Sequence, residues 1–145
     1  MEVRPFRRPD LRRIVEIERV SFGKDAWPAT LFLAYWRETP ELFLVARHGR
    51  HLAGYSISRI DWRGAEVDSI AVDPRYRGRG VAKALLDTTL TVLRAKNCGA
   101  LRLMVSTANA TAIRFYLQYG FVRTRRVKDY YGKGRDAWRM RLGPK

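Results

Sequence analysis

Seven consecutive residues, Arg77-Gly78-Arg79-Gly80-Val81-Ala82-Lys83, bring glycine, cations and the start of a helix together in a way suited to holding phosphate. They follow the apolar run Ile70-Ala71-Val72 and the pair Asp73-Pro74. Glycine lets the backbone come close to a ligand. The first amides of a helix have no internal partner, and the helix dipole adds partial positive charge at the same place. Arg75, Arg77, Arg79 and Lys83 surround the junction. The loop is not G-x-x-x-x-G-K-[ST], since no Ser or Thr follows Lys83 to hold magnesium. It is not G-x-G-x-x-G either, because Gly78, Gly80 and Ala82 give G-x-G-x-A. No carboxylate follows a second strand at the ribose-binding distance. A strand–loop–helix site for a pyrophosphate, with no obligatory metal, is what these residues leave.

Arg77-x-x-Gly80-x-Ala82, preceded by Ile70 to Pro74, resembles the pyrophosphate loop of the GNAT acetyltransferases. Asn109-x-x-Ala112-Ile113-x-x-Tyr116-x-x-x-Gly120-Phe121 resembles that family's segment after its fifth strand. The tail Arg126-x-Lys128-Asp129-Tyr130-Tyr131, then Asp136-Ala137-x-x-Met140, is similar to the branch that acetylates N-terminal amines, RimI-like enzymes included. Ser21-Phe22 and Trp27-Pro28 extend the likeness to the start of the chain. The resemblance implies the acyl-CoA N-acyltransferase fold and acetyl-CoA as acetyl donor. It implies a protein N-terminus as acceptor, ribosomal proteins included, and direct attack without a covalent enzyme intermediate. Acetylation of lysine or a small amine is the nearest alternative. A catalytically weak CoA binder or nucleic-acid binder is a different class, and no helix-turn-helix or RNA-recognition signature supports the latter.

Acetyl transfer to an amine requires an acceptor for the ammonium proton, donors for the oxyanion and a proton for the leaving thiolate. A phenol has a pKa near that of a thiol, and the resemblance assigns Tyr116 to the leaving sulfur. Otherwise Tyr116 is a core tyrosine. Asn109 caps its helix and, by resemblance, bonds the pantetheine arm. RimI-like enzymes carry a glutamate where Met104 stands, and a thioether cannot take a proton. Glu66 is the expected substitute, at the position where histone-type members keep their base; the other reading is an exposed polar strand face. Simple alternation places Glu66 and Asp68 on one face with Ile70 and Val72. Backbone groups of Ile70 and Val72, flanking Ala71, are expected to pair with pantetheine and supply an oxyanion contact. By resemblance Tyr130, Tyr131 and Phe22 wall the peptide entrance. An α-amine, with a pKa of about 8 against about 10.4 for lysine, suits a site with a weak base.

The chain has 145 residues, the size of one domain, taken here as 1–145. One cysteine, Cys98, excludes an internal disulfide framework. His48 and His51 lack a third ligand nearby, so no metal is expected. No membrane-length apolar run and no signal-like N-terminus are present, and the expected location is the cytoplasm. The formal charge of +15 exceeds what one polyanionic donor requires. It is either a solvated arginine-rich surface or a means of steering toward acidic partners or RNA-rich particles; nucleic acid would be met only through that basic surface.

The elements needed to position these residues follow from periodicity and breakers. Strands are expected over Glu2–Phe6, Leu42–Arg47, His51–Ile60, Glu66–Val72, Leu101–Val105, Phe121–Val127 and Ala137–Leu142. Helices are expected over Leu11–Val20 with Asp10 as cap, Ala29–Arg37 opened by Pro28, Gly80–Lys96 and Asn109–Tyr119. In the third, Val81, Leu85, Leu86, Leu90 and Leu93 form the buried stripe. Gly64 breaks the chain before its strand, Trp62 packs on the preceding turn, and Gly132 and Gly134 sit in a mobile hairpin loop. The result is a mixed α/β class: a sheet of about seven strands with four helices and a βαβ crossover through the phosphate loop.

Overall fold

The computed structural model describes residues 1–143. Seven strands form one sheet: β1 (Glu2–Pro5), β2 (Phe43–His48), β3 (His51–Asp61), β4 (Gly64–Val72), β5 (Leu101–Ser106), β6 (Val122–Val127) and β7 (Ala137–Leu142). Four helices accompany them: α1 (Leu11–Phe22), α2 (Ala29–Glu38), α3 (Val81–Ala95) and α4 (Ala110–Tyr119). The strand order is β1-β2-β3-β4-β5-β7-β6. Only β4 and β5 run parallel, because α3 carries the chain back across the sheet between them.

The sheet is covered on both faces. Ile14 and Ile17 of α1 and Phe32 of α2 pack with Phe43, Val45, Tyr55, Ile57 and Ala71 on one side. Leu86 and Leu93 of α3 and Ile113 and Tyr116 of α4 pack with Leu101, Leu103, Val105 and Met140 on the other. The alternation of β5 explains its place: Leu101, Leu103 and Val105 are buried, while Arg102, Met104 and Ser106 between them are only partly covered. Leu90 of α3 is half-buried rather than fully enclosed like Leu85, Leu86 and Leu93.

Several local expectations change. Asp10 does not cap α1 with its side chain. Its carboxylate instead takes two bonds from the Arg4 guanidinium, at 2.8 and 3.0 Å, and one from the Arg7 amide. Pro28 is the N-cap of α2 rather than a residue of its first turn, and Gly64 is the first residue of β4 rather than a break before it. Trp62 does not pack: it is 91% exposed at the β3–β4 tip, with the Arg63 guanidinium over its ring. The β6–β7 loop is tied by bonds from the Tyr131 amide to the Arg135 carbonyl, the Arg135 amide to Gly132 and the Gly134 amide to the Asp129 carboxylate.

The largest change is in β4. Val67 pairs with Ser58 and Ser69 with Ile57, so Asp68 is an extra residue in the ladder, a β-bulge. A bulge shifts the alternation of side chains. Ala65 and Val67 join the α3–α4 core, as does Ile70 beyond the bulge, and Ile70 and Val72 pack with Val81 and Leu85 of α3. Glu66 and Asp68 therefore do not share a face with Ile70 and Val72, as unbroken alternation requires. Asp68 reaches Tyr35 of α2, on the opposite side.

Candidate active site

The phosphate-type loop is built by its own sequence. Asp73 ends β4, and its buried carboxylate accepts the Arg75 amide at 2.9 Å, which folds Pro74–Tyr76 into one tight turn. The same carboxylate is paired with Arg13 of α1 and with Arg75. Gly78 and Gly80 hold φ of 75° and 78°, a left-handed conformation that suits glycine just before α3 begins. A Cβ at either would meet nothing within 4 Å, so space lies open above the loop. The first bond of α3 is donated by the Ala84 amide to the Gly80 carbonyl, leaving the amides of Val81, Ala82 and Lys83 without helical partners. These features fit a diphosphate held by backbone amides.

A cavity of about 480 Å³ opens over this loop. It is lined by Ile70, Ala71, Val72, Arg77, Gly78, Gly80, Val81, Ala82 and Lys83, and at its inner end by Asn109 and Tyr116. Arg79 is not in the lining; its guanidinium lies 5.5 Å from the ring centre of Tyr76. Lys83 is bonded to Asp87 one turn on, at 2.9 Å. The Asn109 side chain caps α4 by accepting the Ala112 amide at 3.1 Å.

The cavity exists because β4 and β5 part. Their ladder runs only from Ala65–Leu101 to Val67–Leu103. Beyond Val67 the fifth strand follows β7, paired as far as Ser106–Ala137, while β4 stays with β3. One edge of Asp68–Val72 is thus left without a neighbouring strand, and an extended arm can lie along it as an added strand would.

A second cavity, of about 470 Å³, lies on the other side of this opening. Its walls come from the end of α1 (Phe22), the α1–α2 connection (Asp25, Trp27), the bulged part of β4, Met104 of β5, and Tyr131 and Arg135 of the β6–β7 loop. The two cavities share Ser21, Phe22, Ile70, Asn109, Ala112 and Tyr116. Tyr116 thus stands where they meet. Its ring packs edge-on against Phe115 and Phe121, at 5.4 and 5.5 Å, and is 8% exposed. Burial, and then the neighbouring Tyr131, push its phenol above the ordinary tyrosine value, so it keeps its proton at neutral pH.

The remaining expected residues divide. Tyr131 lines the second cavity, and burial raises its phenol to about 12. Tyr130 is 48% exposed and stacks edge-on to Tyr131 at 4.9 Å, outside the cavity lining. Glu66 lines neither cavity. Its carboxylate is held among Arg102 at 3.3 Å, Arg139 at 3.4 Å and Arg59 at 3.7 Å.

Three further groups frame the second cavity without standing out in the sequence. Glu18 is 1% exposed and accepts the Tyr55 hydroxyl, the Trp27 amide at 2.9 Å and the Ser69 hydroxyl at 3.3 Å. Its signal was a carboxylate continuing the apolar stripe of α1. The Asp25–Arg135 ion pair joins the α1–α2 connection to the β6–β7 loop across the cavity mouth. Asp68 enters the wall through the bulge, which has no local sequence signature. Among the described residues no group of three or more His, Cys, Asp and Glu side chains is placed to hold a metal ion, and no helix is long and apolar enough to cross a membrane.

Residues 9–121 match the Acetyltransferase (GNAT) family. The N-alpha-acetyltransferase RimI of Mycobacterium tuberculosis is 36% identical over 140 residues, covering 92% of this chain and 87% of that protein. The crystal structure of Ard1 from Thermoplasma volcanium superposes with a TM-score of 0.92 at 33% identity, covering 99% of this chain and 97% of the other. Chaetomium thermophilum Naa20, solved in complex with a bisubstrate analogue, superposes with a TM-score of 0.89 at 26% identity, covering 99% and 86%.

Proposed function

The chain belongs to the GNAT acetyltransferase family, and on that premise we propose that it moves the acetyl group of acetyl-CoA directly to the α-amine of a protein N-terminus. The observation that carries this reading is the pair of cavities joined at Tyr116, one walled by backbone amides and cations, the other by aromatic and acidic side chains. The relative named RimI is an N-alpha-acetyltransferase, and Naa20 has been solved with donor and acceptor moieties in one analogue.

Acetyl-CoA supplies the acetyl group as an activated thioester. The amides of Val81, Ala82 and Lys83, with Arg77 beside them, hold its diphosphate. The unpaired edge of β4 at Ile70 and Val72 bonds its pantetheine arm, and Asn109 flanks the arm's inner end. An amide on that same edge donates to the carbonyl oxygen as charge builds there. Tyr116 donates its phenolic proton to the departing sulfur, a role that suits a buried phenol kept in the neutral form. Phe22 and Tyr131 narrow the second cavity so that an extended chain end enters amine first, with Tyr130 at its outer rim. The lower pKa of an α-amine, about 8 against about 10.4 for lysine, favours the chain end over a side chain.

The test is release of free thiol from acetyl-CoA in the presence of peptides that vary in their first two residues. Turnover on free N-termini, and none on N-blocked peptides that carry lysine, is the expected result. The reverse pattern overturns the α-amine assignment.

A further inference from the structure

We propose that Asp68 is the group that takes the proton from the incoming ammonium, replacing the carboxylate that Met104 cannot supply. This rests on the α-amine reading given above. The bulge carries Asp68 into the wall of the acceptor cavity, together with Met104 and Tyr116. Both of its hydrogen bonds fall on one oxygen: Oδ2 accepts the Tyr35 hydroxyl at 2.5 Å and Arg59 Nε at 2.8 Å. Oδ1 has no protein donor among the described residues, and it is not one of the buried side-chain oxygens that lack a partner. It is therefore accessible, on a residue that lines the cavity.

Among the described residues no other carboxylate lining this cavity offers the same. Glu18 lines the cavity, but its Oε1 accepts Tyr55 and Ser69 and its Oε2 accepts the Trp27 amide. Asp25 sits at the mouth, paired with Arg135. Glu66 lies outside the lining among three guanidinium groups.

The groups facing Asp68 are Tyr35 from α2, Arg59 from β3, Glu66 from its own strand and Tyr130 from the β6–β7 loop. Glu18, Asp25, Arg135, Tyr116 and Tyr131 lie around the same cavity. Burial raises the Asp68 carboxyl above the usual carboxylate range and Glu66 adds to this, outweighing Tyr35 and Arg59. A carboxylate shifted upward is a better match for an ammonium proton.

The step balances as follows. The ammonium gives one proton to Asp68 Oδ1, and the freed lone pair forms the bond to the acetyl carbon. As the C–S bond breaks, the sulfur takes the proton of Tyr116. The nitrogen loses a second proton, through water, which restores Tyr116, and keeps its third in the amide. Asp68 returns its proton to solvent, so one proton is released per turnover.

The experiment is the pH profile of kcat/KM for a peptide that wild type acetylates. Asp68→Asn keeps an oxygen for Tyr35 and Arg59 to donate to. Its kcat/KM is expected to fall about tenfold or more near pH 6.5 and to approach wild type near pH 9.5, where an amine of pKa about 8 is neutral by itself. Tyr35→Phe, which removes a bond that favours the charged carboxylate, should move the acidic limb to higher pH. A loss that is equal at every pH, no loss, or a pH-graded loss in Glu66→Gln instead, overturns the assignment of Asp68. A wild type inert toward every free N-terminus overturns the proposed function, and this inference with it; an active wild type with a flat loss in Asp68→Asn sinks the inference alone.

Discussion

The cavity proposed for the donor and the one proposed for the acceptor are nearly equal in volume, at about 480 and 470 Å³, yet they are made of different material. The donor side is largely backbone, with Arg77 and Lys83 beside it: glycines with positive φ, helix-end amides and one unpaired strand edge. The acceptor side is side chain: Glu18, Asp25, Asp68, Tyr131 and Arg135, drawn from segments as far apart as α1 and the β6–β7 loop. A backbone site depends on chain conformation, whereas a side-chain site depends on the identity of each residue that lines it. The contrast predicts that changes on the first side alter donor affinity and changes on the second alter acceptor handling.

The largest effect should come at the junction. Tyr116→Phe is expected to lower kcat by about 100-fold while KM for acetyl-CoA changes little, because the ring stays and only the acid is lost. Steady-state kinetics that find kcat unchanged would remove Tyr116 from the reaction. Next is Gly80→Ala. A side chain held at φ 78° costs about 1–2 kcal/mol, which should raise the donor dissociation constant by about tenfold in calorimetry, with peptide KM barely moved. Arg135→Ala should change peptide KM by only about threefold, since its pair with Asp25 is largely exposed, and Asp25→Ala added to it should cost little more.

The smallest effect sharpens the contrast by lying outside both cavities. Burial alone would raise the Asp10 carboxyl, but the Arg4 guanidinium and the Arg7 amide outweigh it and hold the group below the usual carboxylate range. A carboxyl depressed in the folded state stabilises it above the unfolded value, about 4, and that stabilisation fades as pH falls through the folded value. Asp10→Asn should therefore lower Tm by about 2–4 °C at pH 7, and the difference should vanish in strong acid, with kcat/KM at pH 7 untouched.

The same division explains what the sequence could tell. Arg77 to Lys83 could be read directly because positive-φ glycines and helix-end amides are local properties. All seven strands and four helices could be placed to within a few residues from alternation, helical spacing and breakers. The acceptor side could not. One extra residue at Asp68 reverses the facing of Ile70 and Val72 relative to Glu66 and Asp68, and nothing in Val67-Asp68-Ser69 announces it. Asp10 looked like a helix cap until Arg4, six residues away, claimed its carboxylate. The size of Trp62 suggests burial, yet at the hairpin tip it is 91% exposed. These are outcomes of tertiary competition, which residue type and spacing do not encode.

The sheet ends at β6, whose side chains point almost entirely into solvent, and three of its six residues are Arg123, Arg125 and Arg126. A bare outer strand is a template on which another chain can add and begin to aggregate. Guanidinium groups along such a border repel a second copy, and the register shift after Arg123 interrupts the straight run that a visitor would need. At the opposite border β1 is four residues long and closes on Pro5. Part of the surplus of positive charge thus acts as a fence that keeps a sheet with two open margins from recruiting its own kind.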